Sequence, residues 1–139
     1  MEHHRSLTDG ELERNFNDCT LEPSWFTHEA HLRLAWIQLS LYDVDQACKQ
    51  ICRQIIQFDN THGKGDKFHK TITIAAVKIV AHFKEKTKSD SFSDLLTAVP
   101  RLKTHFKYLL NQHYSEDIFK SPVAATTYLE PDLFPFDLR

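Results

Sequence analysis

No uninterrupted apolar stretch in this chain approaches the roughly 18 residues that suggest a membrane span. The opening MEHHRSLTDGELERN also lacks the apolar region of a signal peptide. A soluble, cytoplasmic protein with no membrane partner is the expectation. Cysteine is sparse and odd in number: Cys19, Cys48 and Cys52 form no short two-cysteine metal motif. Cys48 and Cys52 stand four apart in an apparent helix, where a disulfide across one turn has poor geometry, so reduced thiols are expected. Excess positive charge is missing as well. A formal charge of −2 gives no general attraction for a polyanionic backbone, which argues against nucleic acid as partner. Lys84, Lys86 and Lys88 come without a nucleic-acid motif and read as a solvated helix end.

Several chemistries lack their motifs too. THGKGD has no complete phosphate-binding loop, no sequential elbow supplies a serine triad, and the histidine pair at 28 and 31 lacks the glutamate arrangement of HExxH hydrolases. Repeats, long low-complexity linkers and shifts of composition are absent, so one domain over 1–139 is expected. It divides into an N-terminal segment (1–26), a helical core (27–113) and a short helix with tail (114–139). Apolar residues at 41% and charged residues at 26% are ordinary for a folded soluble chain. Ten Phe against one Met point to a core of large rigid side chains.

The hydrophobic periodicity is helical throughout. LTDGELERNFN (7–17) places Leu12 and Phe16 on one face, and CTLEPSWF reads as a connector broken by Pro23. Thr27 is the expected N-cap of a helix over about residues 28–41. In DVDQACKQICRQIIQF the apolar residues Val44, Ala47, Ile51, Ile55 and Phe58 recur at three- and four-residue steps, with an end expected near Asp59. TITIAAVKIVAHF has strand-like composition, but its length, its alanine pair and the Ile72, Ala76, Ile79, Phe83 series favour a helix over about 67–86. Ser91 caps a short segment to Val99, and RLKTHFKYLLNQHY after Pro100 supplies a last substantial helix. A short helix is expected after Ser121 and Pro122. Pro131 and Pro135 then make an irregular tail, docked through Leu129, Leu133, Phe134, Phe136 and Leu138. The fold class is all-α: a compact, irregular helical bundle with four or more principal helices and a docked C-terminal tail.

Histidine carries the chemical signal. In FTHEAHLRLAW, His28 and His31 lie one turn apart, and His69 begins the later long helix. Neutral imidazoles from these three would suit zinc, iron, manganese or nickel, with an open position for water or substrate. Core packing is the competing reading. Glu29 is among the acidic side chains available to compensate charge. Thr71 and Thr73 are about 200° apart on an ideal helix and cannot both face one pocket. Thr73 is the better pocket residue, and Thr71 is expected to orient backbone, tail or ligand neighbours. His82, His105 and His113 read as structural or locally bonded, and His62 as a gate to the glycine loop. His3 and His4 are too few for an affinity tag and read as a poorly ordered start.

The stretches CTLEPSWFTHEAHLRLAW, FHKTITIA and SPVAATTYLEPDL together resemble a family of small, uncharacterised bacterial all-helical proteins. That family's pattern is CTLP-x-x-x-F/W-T-H-x-x-H-L, Y/F-H-x-T-x-T and SP…EPDL, and the resemblance spans residues 19–133. It implies that His28, His31, His69, Thr71 and Thr73 share a site, with Glu130 and Asp132 contributed by the tail. It implies no reaction. Glu22 stands before Pro23 where the pattern has Leu, and Phe68 takes a position associated with Tyr, which removes a phenolic donor. The expected function is a divalent-metal or small-ligand pocket, in its stronger form a metal-dependent enzyme acting on a small molecule by hydrolysis, hydration or oxygen chemistry. The alternative is a binding or structural protein that forms a homo-oligomer through helix faces or the FPFDLR tail.

Overall fold

Side-chain caps decide where most helices begin. In the computed structural model, which describes residues 3–136, Thr8 opens α1 (Asp9–Asn17) with a reciprocal capping box. The Glu11 amide donates to Thr8 Oγ1 at 3.1 Å, and the Thr8 amide donates to Glu11 Oε1 at 2.8 Å. Thr27 caps α2 (His28–Leu41), Asp43 caps α3 (Val44–His62), His69 caps α4 (Lys70–Thr87) and Ser91 caps α5 (Phe92–Ala98). Then come α6 (Arg101–Thr104), α7 (Phe106–Asn111) and α8 (Pro122–Thr126), the last capped by Ser121. Each oxygen cap satisfies an amide that has no partner within its helix, an effect of about 1 kcal/mol. The protein is all-α, with no strand among the described residues.

Three boundaries differ from the periodicity. α3 runs on past Asp59 to His62, because Asp59 itself closes the loop beyond: its Oδ2 accepts from the amides of Lys67 (2.7 Å) and Phe68 (3.1 Å). Gly65 permits that loop at φ +74°, where a Cβ would collide with Asn60 Oδ1. α4 starts only at Lys70, because His69 is extended (φ −125°, ψ 111°) and its ring caps the helix by accepting from the Ile72 amide. The helix expected from Arg101 is interrupted at His105, which leaves helical geometry at φ −137°, ψ 40°. There the Thr104 hydroxyl bonds locally to the Pro100 carbonyl oxygen and to His105 Nδ1, in competition with the helical ladder.

The contacts of the chain cluster into two units, residues 1–68 and 69–139, divided within the stretch read above as one helical core. In the first, α1, α2 and α3 pack against one another. Their core holds Leu12, Phe16, Ala30, Leu34, Ile51 and Phe58. It also contains a polar link: buried Gln38 donates to buried Gln54 Oε1 (3.3 Å), and Gln54 donates to Glu13 Oε2 (2.8 Å). In the second unit α4 packs against α5 and α8, α5 against α6, and α6 against α7. Ala76, Val77, Val80, Leu95, Leu102 and Leu110 are buried there.

The tail docks chiefly through its backbone. The Leu133 amide donates to the His113 carbonyl (3.0 Å), and His113 Nδ1 donates to the Phe134 carbonyl (2.8 Å). This leaves the Leu133 and Phe134 side chains exposed, contrary to the expected docking of those groups, while Phe136 is buried against the His113 ring. Leu129 is half-buried, and Leu138 lies outside the described residues.

Candidate functional site

The first turn of α4 carries His69, Thr71 and Thr73. His69 Nδ1 accepts from the Ile72 amide at 3.1 Å, which fixes the ring proton on Nε2, and Nε2 donates to the Ile118 carbonyl at 2.9 Å. Both nitrogens are occupied, so His69 as placed has no lone pair to offer a metal. It acts as a cap and a strut within its own unit. Thr71 and Thr73 are both buried. The Thr71 hydroxyl donates to the Thr127 carbonyl (2.9 Å) and accepts from the Leu129 amide (3.1 Å), so this side chain does hold tail backbone. Further along, Asp132 accepts from the Ser115 amide (2.9 Å) and from its hydroxyl, bonds that hold the exposed carboxyl below its ordinary range. Glu130 is exposed.

The first turn of α2 carries His28, Glu29 and His31. Thr27 Oγ1 takes the Ala30 amide, which puts His28 first in the helix, and His28 is exposed. His31 packs beside Phe26, at the edge of the Phe16–Phe26–Phe58 cluster. Its Nε2 is buried without a hydrogen-bond partner. Burial first, and then His28, push its pKa down to about 4 from 6.5. The folded form therefore resists a proton that the unfolded chain accepts. The resulting stability is present in full above about pH 6.5 and is lost as pH falls through 4. In metal-free buffer a loss of about 2 kcal/mol by pH 4.5 is expected from this group. Urea midpoints measured from pH 7 to 4.5 should fall less steeply for His31→Leu than for the unaltered chain. Parallel slopes would rule this origin out.

Glu29 turns the other way, toward an N-terminal 3-10 turn at His4–Ser6 that sequence reasoning left without a role. His4 is 1% exposed, and its Nε2 lies 3.0 Å from Glu29 Oε2. Its ring centroid lies 4.3 Å from that of His3, the two rings tilted by 45°. One nitrogen from each of His3 and His4 and one oxygen of Glu29 all lie within 4.8 Å of one another. Two arginines frame the group. Arg5 grips both oxygens of Glu29, with Nε 2.6 Å from Oε2 and Nη2 on Oε1. Arg33 reaches His4 Nδ1 (3.2 Å), the carbonyls of His4 (2.8 Å) and Leu7 (2.7 Å), and Asp9 (2.9 Å). Burial, His3 and Arg33 hold the His4 pKa down to about 4 against the pull of Glu29, so the ring is neutral near pH 7.

His3 and His4 are therefore part of an ordered cluster and not a loose start. The only signal in the sequence was a pair of histidines before a helix, and nothing in its spacing named Glu29 as their neighbour. His62, read as a loop gate, stacks on Phe58 and places Nε2 2.6 Å from the Cys19 carbonyl oxygen. Compared with family models, with curated proteins and with solved structures, the chain matches none.

Proposed function

We propose that the protein binds a divalent transition metal at His3, His4 and Glu29, in place of the His28, His31 and His69 set that the helix periodicity suggests. The supporting observation is the convergence of three ligand types within 4.8 Å, two of them the buried His4 ring and the buried Glu29 carboxylate, 3.0 Å apart. Two imidazoles and a carboxylate suit zinc or nickel better than a hard ion, and water would complete the coordination. To ligate through Nε2, His4 would have to carry its ring proton on Nδ1, with Arg33 Nη1 bonded to the His4 carbonyl alone. A bound ion of this kind would polarise a small-molecule substrate or activate water for hydrolysis or hydration. The cytoplasm suits the reading, since Cys19, Cys48 and Cys52 are thiols rather than disulfides.

A second reading makes the cluster a purely structural latch between the N-terminal turn and α2. It is favoured by Arg33, because a guanidinium donating to Nδ1 puts the ring proton on Nε2, facing Glu29. A non-enzymatic protein that self-associates through exposed side chains such as Phe134 fits that version. Cobalt titration followed by visible absorption, with zinc competition by calorimetry, separates the two. One equivalent should bind the full chain, and His3→Ala and Glu29→Gln should each weaken binding roughly tenfold or more. Failure to bind, or equal binding by all three proteins, would leave the latch as the function of the cluster.

A further inference from the structure

We infer that Arg5 is a built-in competitor for the ion, a guanidinium that must leave Glu29 before a metal can enter and that thereby selects which metals do. The inference rests on the site proposed above and adds its regulation. The oxygen nearest His4 Nε2 is Glu29 Oε2, and an ion joining the two residues would take that oxygen. Arg5 Nε already holds it at 2.6 Å, and Nη2 holds the other oxygen. Metal and guanidinium therefore compete for the same oxygen.

The two arginines are not equivalent in this exchange. The Arg33 side chain is 11% exposed and tied to Asp9 and to two backbone carbonyls, so it stays. The Arg5 side chain is 62% exposed, among the described residues it bonds to Glu29, and it reaches the carboxylate from solvent. Swinging out would let its guanidinium rehydrate at little cost. The carboxylate is 5% exposed and does not have that choice, so whichever cation is present must pair with it there. Exchange replaces one positive charge by two. Ions that bind imidazole strongly can displace the arginine, whereas manganese and magnesium, which bind nitrogen weakly, cannot. Arg5 thus acts as a specificity-determining residue without being a ligand.

The experiment is a titration of the full chain with zinc and with manganese, comparing wild type, Arg5→Ala and Arg5→Lys, with thermal melts to verify folding. Arg5→Ala should bind zinc roughly tenfold more tightly than wild type and should gain measurable manganese binding. Arg5→Lys, which keeps the charge but loses the two-pronged grip, should fall between them. If Arg5→Ala binds zinc no more tightly than wild type, the competitor role is wrong while wild-type binding still upholds the site. If none of the three proteins takes up an ion, the site and its regulation fall together.

Discussion

Phe16→Ala is expected to destabilise the first unit by about 3–5 kcal/mol, enough to threaten its folding at ordinary temperature. Phe16 is 0% exposed, and its ring centroid lies 4.7 Å from those of both Phe26 and Phe58, which are themselves 5.5 Å apart. Truncation removes two of these three Phe–Phe pairs, and leaves a cavity between α1, α3 and the segment carrying Phe26. The stiff rings around it cannot relax to fill the space. Phe16→Leu keeps most of the volume and should cost less than half as much. Urea denaturation followed by circular dichroism measures both. A loss below about 1 kcal/mol for Phe16→Ala would mean that the site collapses freely and that the cluster is not the anchor of this unit.

The placement of Phe16 was legible in the sequence, because Leu12 and Phe16 sit four apart on one face of a short helical segment. Element type was also readable at TITIAAVKIV, where residue preference alone leaned toward strand. The 18-residue α4 buries Ala75, Ala76, Ile79, Val80 and Phe83 at helical steps, and that periodicity outweighed the β-branched side chains of Thr71 to Ile74. The boundaries were less legible because they depend on contacts distant in sequence. Asp59 captures amides eight and nine residues later and so fixes the loop between α3 and α4.

The candidate site followed the same logic. That His28 and His31 share one turn of helix could be read from spacing. The pairing of His4 with Glu29, 25 residues apart, depends on how the N-terminal turn lies against α2, which no local period encodes. Glu29 was anticipated as a compensating charge, and it serves Arg5 and His4 rather than an ion at His28. His69 was attractive because it starts a long helix, and that position is also why it is occupied. An imidazole at the cap position is within reach of the Ile72 amide, so the feature that suggested a ligand turned the lone pair inward.

Thr71→Val, nearly identical in shape to the native residue, should cost the second unit about 2–4 kcal/mol and loosen the segment before the tail. The hydroxyl donates to the Thr127 carbonyl and accepts from the Leu129 amide at a position that is 0% exposed, and valine leaves both backbone groups without their partner. Tyr114 still donates to the Leu129 carbonyl at 2.8 Å, so the segment should loosen rather than detach. Amide exchange at Leu129 should accelerate with the drop in urea midpoint, and Thr71→Ser, which keeps the oxygen, should restore slow exchange. Unchanged exchange at Leu129 in Thr71→Val would contradict the assignment. An oxygen that already donates one bond and accepts another retains a single lone pair, so the Thr71 hydroxyl is committed to the tail backbone it fixes.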